Sequence, residues 1–470
     1  MSNNDIVQKL WGLCNILRDD GITYHQYLSE LSYLLFLKMA EETGRDHELA
    51  EGYRWKDLTA KRGQAQFDFY REQLVMLGTH GTPQVRTIFA NPTSLLRHAD
   101  NLNALVDKLD SLDWFNAKKE GLGDLYEGLL QKNAAEKKSG AGQYFTPRAL
   151  IESIVSLVKP QAGELIQDPA AGTGGFLVVA SNFVHENSAK NSKAAKFQAC
   201  ELVQDTHRLL LMNAILHGMK GDFILGDSLS KEGAEQLTAA DVILTNPPFG
   251  NKRGGGLPTR TDLLTLTSNK QLSFLQHVIL RLKPRGRAAV VVPDNVLFEE
   301  NAGYQVRSEL FEKCDVHTIL RLPDGIFYAN VKTNVLFFTK GEKSSKGNTK
   351  GTWIYDMRTN VPVFGKRTPL EREHFAAFEE AFGTDVYGQS PRVHGAADDR
   401  FRFFTINQLL QRNLNLDISW KAQDQYNDDV SENTDPDEIV FEMRALLESA
   451  LDELDALIEQ SMPIDGGVIS

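Results

Sequence analysis

Apolar residues recur at three- and four-residue spacing through roughly the first 130 positions, the period of helices with one buried face. Asn4 and Asp5 can cap a helix that puts Ile6, Leu10, Leu13 and Leu17 on one side. A second helix is predicted over 24–42, rich in leucine and aromatics, with Gly44 as its stop. Further helical stretches fall at 66–77, 93–109 and 121–135. Nothing in this region has catalytic spacing, and a helical docking domain is the reading it supports. Residues 136–142, Glu-Lys-Lys-Ser-Gly-Ala-Gly, form a boundary loop.

From about residue 148 to 340 the pattern changes to short apolar runs separated by amphipathic stretches. Strands are predicted at 164–167, 196–200, 223–225, 241–245, 287–292, 316–321 and 334–339, with helices between them. That alternation is the signature of βαβ units and a parallel sheet. Residues 341–351 read as a flexible polar linker. Near the C-terminus, Asp435 can cap a helix with Pro436 at its first position and Glu438 completing a capping box. Val440, Met443, Leu447, Ala450, Leu454 and Leu457 then form a bundle-like face, suited either to a partner or to the chain's own body.

At 470 residues the chain is long enough for two or three domains. No apolar stretch approaches a membrane span, and Met1-Ser2-Asn3-Asn4-Asp5 lacks the features of a signal peptide. Cys14, Cys200 and Cys314 lie far apart without Cys-x-x-Cys spacing, as expected for reduced thiols of a cytoplasmic protein rather than a metal site. The net charge of −12 is unevenly spread: residues 422–470 carry −13 and the rest of the chain +1. A nearly neutral body grips phosphates weakly, so if the substrate is DNA a partner must supply much of the hold.

The ends of the predicted strands carry the chemistry. Asp168-Pro169-Ala170-Ala171-Gly172-Thr173-Gly174-Gly175-Phe176 follows the first strand and opens a helix. Gly172 and Gly174 let backbone approach a ligand closely. The spacing departs from the dinucleotide fingerprint Gly-x-Gly-x-x-Gly, and Asp168 suits the α-amino group of S-adenosylmethionine better than a pyrophosphate. Glu201, ending the second strand, can accept hydrogen bonds from both ribose hydroxyls of an adenosine moiety. Asp227, after the third, can accept from that moiety's adenine amine. Upstream, Gly142-Gln143-Tyr144-Phe145-Thr146-Pro147 precedes a helix near Arg148. There Thr146 can serve as N-cap and offer its hydroxyl or backbone to a cofactor carboxylate.

The fourth strand runs into Asn246-Pro247-Pro248-Phe249. This places an amide, two prolines and an aromatic ring where open parallel sheets bind ligands. The arrangement suits methylation of a planar exocyclic amine such as N6 of adenine. The lone pair of that amine is delocalised into the ring, so it is a poor nucleophile. Acceptors at the Asn246 side-chain oxygen and the Pro247 carbonyl would bind both N–H groups and favour a pyramidal nitrogen. Phe249 would stack on a base extruded from the duplex. A second wall is expected at Phe327, in Asp324-Gly325-Ile326-Phe327-Tyr328. The basic insert 251–256 either closes over the base or phosphates or is a surface loop, and Arg281, Lys283, Arg285 and Arg287 are expected to be solvated. A protein glutamine amide is also a planar amine and remains an alternative substrate. So does a non-catalytic assembly role.

Taken together, these motifs resemble the modification (methyltransferase) subunit of type I restriction–modification systems. The likeness includes the opening Asn4-Asp5-Ile6-Val7-Gln8-Lys9-Leu10-Trp11, and the motif order is that of gamma-class amino methyltransferases. The resemblance implies a Rossmann-like class I S-adenosylmethionine-dependent domain over 139–345. This would be flanked by a helical domain at 1–138, a mixed extension at 346–425 and an acidic helical tail at 426–470. It implies N6-adenine methylation of double-stranded DNA, with Asn246, Pro247 and Phe249 catalytic. Gln143, Tyr144, Thr146, Asp168, Ala170, Gly172, Thr173, Gly174, Glu201 and Asp227 would hold the cofactor, with no metal. It also implies a separate specificity subunit clasped by two modification subunits, and a restriction subunit. The tail helix is the expected docking element. Deleting residues 435–470 should therefore abolish co-purification with the specificity subunit, and unchanged assembly would reject that role.

Overall fold

The computed structural model of the chain describes residues 24–112, 146–189, 193–251, 257–327, 331–342, 347–365, 368–394 and 399–420, with Lys9, Gly12 and Leu13. The expected helices at 121–135 and 435–457, and all but Leu13 of the first apolar face, lie outside these residues. In chain order the helices before the first strand are α1 (Tyr24–Glu42), α2 (Trp55–Thr59), α3 (Gly63–Thr79), α4 (Pro83–Ile88), α5 (Ala99–Asp110) and α6 (Arg148–Val158). Then come β1 (Leu165–Asp168), α7 (Gly175–Asn187), β2 (Lys196–Glu201), α8 (Gln204–Leu216), β3 (Gly221–Leu225), α9 (Lys231–Gln236) and β4 (Ala240–Thr245). They are followed by α10 (Lys270–Arg281), β5 (Leu282–Pro293), α11 (Asn295–Phe298), α12 (Ala302–Lys313), β6 (Cys314–Arg321), β7 (Thr333–Lys340), β8 (Gly351–Asp356), α13 (Ala376–Phe382) and β9 (Phe401–Thr405). The chain divides into two compact units, the first from Met1–Phe145 with Pro160–Asp227 and the second from Thr146–Lys159 with Ser228–Ser470.

In the first unit, helices α1 to α5 bury Leu34, Phe36, Trp55, Tyr70, Phe89 and Leu105 in one core. Leu211, Met212 and Ile215 of α8 belong to the same core, so the helical region packs on the glycine-loop region rather than standing apart. Helix α1 stops where predicted: Gly44 turns to φ +68° and its N–H bonds Glu41 O at 3.0 Å. The helix expected over 93–109 begins only at Ala99. The Leu95 N–H is used elsewhere, donating at 2.7 Å to the Glu30 carboxylate. That buried carboxylate also accepts from the Tyr70 hydroxyl at 2.8 Å and the Ser94 hydroxyl at 3.0 Å, so its charge is well solvated by the protein. Strands β3, β2 and β1 lie in that order and are all parallel.

In the second unit the order is β4-β5-β7-β6-β8-β9. All seven predicted strands form, but the sheet is not wholly parallel. Strand β7 runs antiparallel between β5 and β6, and β9 antiparallel to β8, while β4–β5 and β6–β8 are parallel. Two-residue periodicity marks a strand's faces but carries no direction, which is why the sequence could not show this. The supposed linker is partly core: the buried Thr349 hydroxyl accepts from Val316 N at 2.9 Å and donates to Cys314 O at 2.7 Å, seating the approach to β8.

The basic cluster around β5 is also not simply solvated. Arg287 is buried and donates 2.7 Å bonds to Val158 O and Lys159 O. These are carbonyls at the end of α6, where Lys159 turns left-handed at φ +48°. A guanidinium there satisfies orphan acceptors and meets the negative end of the helix dipole. Lys283 pairs with Asp241 at 2.7 Å, closer to the expected surface behaviour. Cys200 and Cys314 are buried thiols, and burial pushes Cys314 up to about 12. Among the described residues no helix is long and apolar enough to cross a membrane.

Past the end of β5, Asp294 takes a forked pair of bonds from Arg358 at 2.7 and 2.9 Å and a third from Asn334 Nδ2 at 2.8 Å. Burial opposes the charge of Asp294, but Arg358 and Asn334 outweigh it and hold the carboxyl below its usual range. The pair ties β8's following turn to the end of β5. Asp294→Ala should cost about 2–4 kcal/mol, because it strands a largely buried guanidinium. Because the folded-state pKa is lowered, the stabilisation is full above the usual carboxylate pKa and is lost as pH falls through the lowered value. Chemical denaturation of wild type and variant at neutral and acid pH should show the gap closing on acidification.

Candidate active site

In the first unit, β1 delivers Asp168 to its C-terminal end, where the side chain is 1% exposed. Asp168 Oδ1 accepts from Ala170 N at 3.0 Å, a bond that bends the chain into the glycine loop. Ala171 N then reaches Cys200 O at 3.1 Å, fastening the loop to β2. Gly172 and Gly174 both take positive φ, +56° and +88°, which side chains of L-residues rarely adopt. Beyond Gly172 lies open space, with nothing within 4 Å of where a Cβ would stand. At Gly174 a Cβ would come within 2.6 Å of Leu210 on α8. The loop carbonyl at Thr173 is held by Asn213 Nδ2 at 2.9 Å, an anchor with no signal in the sequence.

Glu201 ends β2 and faces this loop. Its Oε2 accepts from Gly172 N at 2.9 Å and its Oε1 from Val203 N at 2.8 Å. A carboxylate has about four lone-pair directions, so with backbone N–H groups of Gly172, Val203 and Leu202 bonded it retains acceptor capacity for a ligand hydroxyl. Burial raises the Glu201 pKa above the usual range, with the backbone N–H groups of Val203, Gly172 and Leu202 pulling the other way. Asp227 follows β3, half-buried. The expected set Asp168, Ala170, Gly172, Thr173, Gly174 and Glu201 is therefore assembled around one loop. A left-handed glycine cradle open above Gly172, beside a carboxylate with free acceptor capacity, fits the adenosyl and amino-acid ends of S-adenosylmethionine.

In the second unit, β4 is buried along Val242, Ile243 and Leu244 and delivers Asn246 at its C-terminal end. The Asn246 Nδ2 donates to the Thr146 hydroxyl at 2.9 Å. Its Oδ1 is buried and accepts no hydrogen bond among the described residues. Pro247 is buried and Phe249 half-buried. The Phe249 ring meets Phe327 edge-on, with centroids 6.2 Å apart, and Phe327 itself is 3% exposed. The segment after the motif is fastened by Lys270 N to Gly250 O at 3.2 Å and by a bridge between Asn251 and Asn269. Of the insert, 252–256 lie outside the described residues, as do Gln143 and Tyr144.

Thr146 does not cap α6 as expected. Pro147 occupies the N-cap position and its ring can accept no cap bond, while the Thr146 hydroxyl, one residue earlier, meets Asn246.

The α/β fold, its glycine loop and its Asn-Pro-Pro-Phe strand end are those of a class I methyltransferase. A family profile for N-6 DNA methylases matches residues 117–429, and one for the HsdM N-terminal domain matches 6–143. The chain belongs to this N-6 DNA methylase family, among the modification subunits of type I restriction enzymes. The EcoKI methylase subunit of Escherichia coli K12 is 46% identical, over 98% of this chain and 96% of the relative. The EcoEI methylase subunit of Escherichia coli is 30% identical over 94% of each. Among solved structures, the EcoKI M protein aligns over 98% of this chain and 97% of its own, at 40% identity and TM-score 0.55. A chain from a study of complex assembly in the type I restriction–modification system covers 98% of this chain and 100% of its own, at 25% identity and TM-score 0.70.

The raised Glu201 pKa gives a pH test. A carboxylate accepts from ribose hydroxyls, and a protonated acid accepts less well. Affinity for S-adenosylmethionine should therefore fall on acidification at a pH above that of an ordinary glutamate. Glu201→Gln should weaken binding about tenfold at neutral pH and flatten that dependence, as read by calorimetry across the acid range.

Proposed function

We propose that the chain transfers the methyl group of S-adenosylmethionine to N6 of an adenine turned out of duplex DNA, at sites chosen by a separate specificity subunit. The observation that carries the assignment of roles is the buried, unpartnered Oδ1 of Asn246. A buried acceptor left without a donor costs about 1–3 kcal/mol; other buried amide oxygens, such as those of Asn213 and Gln271, are in the same state among the described residues, and Asn246 stands apart by its place at the end of β4 beside Pro247 and Phe249. An exocyclic amine brings the missing N–H. Asn246 Oδ1 accepts a hydrogen bond from one of its N–H groups and the Pro247 carbonyl from the other, drawing the nitrogen lone pair out of conjugation as the new bond forms. Phe249 stacks on the base, and Phe327 backs that ring. When bound, S-adenosylmethionine would supply the electrophilic methyl for the nitrogen held by Asn246 and Pro247, leaving as the neutral thioether, with one N–H proton released to solvent and no covalent intermediate on the protein. In the cofactor set, Asp168 shapes the loop and meets the ammonium end. Gly172 and Gly174 admit the ligand to the backbone, Glu201 holds the ribose and Asp227 the adenine amine. Gln143, Tyr144 and Ala170, Thr173 complete the two cofactor segments.

The domain plan completes the proposal. Residues 1–138 serve as the helical docking domain, 139–345 as the catalytic domain, 346–425 as an extension and 426–470 as an acidic association helix. Two such subunits clasp one specificity subunit, and a restriction subunit joins that complex in the cytoplasm. The near-neutral charge of the chain outside its acidic tail supports reliance on a partner for DNA grip.

The test is methyl transfer from labelled S-adenosylmethionine to DNA, with and without the specificity subunit. Label should enter adenine only when both chains are present. Label in DNA with this chain alone would overturn the dependence on a partner, and label in protein would overturn the substrate. In the complete complex Asn246→Ala should lose at least 100-fold in transfer rate with cofactor affinity unchanged. Near-normal turnover would remove Asn246 from the mechanism.

A further inference from the structure

An asparagine amide works as an acceptor only if its oxygen, not its nitrogen, faces the substrate. The two ends have the same shape, and rotation by 180° exchanges them. If Nδ2 faced the base, two N–H donors would oppose each other and the site would repel the amine it must bind. Something must therefore choose the face, and no sequence motif around Asn246 does so. Within the second unit the choice falls to Thr146, one hundred residues earlier in the chain, whose hydroxyl accepts from Nδ2 at 2.9 Å.

We infer that Thr146 is the positioning residue of the reaction: by accepting from Asn246 Nδ2, it commits the amide to present Oδ1 to the adenine amine. The inference rests on the reading of Asn246 given above. Three observations carry it. Nδ2 is engaged and Oδ1 is buried and unengaged, so the pair is already divided into a held end and a working end. The Thr146 hydroxyl is not used as the helix cap, the ordinary use of a threonine at this position, since α6 has no side-chain cap. The helix that follows Thr146, with Pro147 between them as its N-cap, is fixed at its far end by Arg287, through bonds to Val158 O and Lys159 O. A hydroxyl both donates and accepts. The contact in the structure has Nδ2 donating to that hydroxyl, which leaves Oδ1 for the substrate.

The experiment uses the complex with the specificity subunit and DNA. Thr146→Val keeps the shape and removes the acceptor, Thr146→Ser keeps the acceptor, and Asn246→Ala is run beside them. Under saturating substrates Thr146→Val should lower kcat about 10- to 100-fold, with KM for S-adenosylmethionine within about twofold. Thr146→Ser should stay within about threefold of wild type. A raised KM at unchanged kcat for Thr146→Val would make Thr146 a cofactor contact and overturn the inference. Equal losses in the valine and serine variants would show that any change at this position disturbs the site, whether or not the acceptor is kept, and would overturn it as well. If Asn246→Ala abolishes transfer while Thr146→Val turns over normally, the positioning role alone fails. If Asn246→Ala remains active, the reading of Asn246 fails first. Should Thr146→Val not assemble, Thr146→Ala carries the same comparison against serine.

Discussion

An eleven-residue helix held at both ends sets the geometry of the second unit. At about 1.5 Å per residue α6 is roughly 16 Å long, a length comparable to a sheet strand of five or six residues. Its C-terminal carbonyls are gripped by Arg287, near the start of the buried part of β5, and its N-terminal flank reaches Asn246 just beyond β4. Because β4 and β5 are parallel and in register from Val242–Arg287 to Thr245–Val290, helix and strands form a closed measure. A guanidinium at one end and an amide at the other fix where the working acceptor stands. The apolar face of α6, with Leu150, Ile154, Val155 and Leu157 buried, supplies the burial that makes two polar fastenings sufficient.

The first unit solves a different problem, how to leave room beside backbone. Its glycine loop is bent by Asp168, clipped to β2 through Ala171 and steadied from α8 by Asn213. The side chains that shape the loop are buried, and the space above Gly172 is left open. Strained backbone is tolerated there because neighbours on three elements determine it. Placing Leu210, the neighbour of Gly174, on the same helix that carries Leu211 and Met212 joins the cradle to the helical core. A residue in the first hundred positions can thus affect ligand binding without touching the ligand.

Most of this was legible in the sequence because the chemistry sits in contiguous motifs. Asp168 to Gly174, Glu201 at a strand end and Asn246 to Phe249 declare themselves by residue type and by the apolar runs before them. What could not be read depended on relations between distant segments. The direction of β7 is invisible to periodicity. Arg287 looked like one of four solvated cations, yet its partners are two carbonyls that any sequence would supply. Thr146 had every local reason to be a cap, and only the fold shows its hydroxyl aimed elsewhere. The helix predicted from 93 was shortened by a carboxylate at Glu30, more than sixty residues away. Local pattern thus brought out the candidate reacting groups, while their fastenings emerged only from the fold.

The order of segments has a consequence for the growing chain. Helix α6 belongs to the second unit but precedes β1, β2 and β3 of the first. When α6 leaves the ribosome, neither Asn246 nor Arg287 exists, and the strands against which it will pack are unmade. At ordinary elongation rates the delay until Arg287 emerges is on the order of ten seconds, far longer than helix formation or collapse takes. During that interval an amphipathic segment bearing Leu150, Ile151, Ile154, Val155, Leu157 and Val158 has no native surface to cover it. The nascent protein therefore carries a sticky, orphaned helix between two regions of different fate, a ready binding site for a chaperone. The first unit must fold around this gap before the segment that bounds it is retrieved.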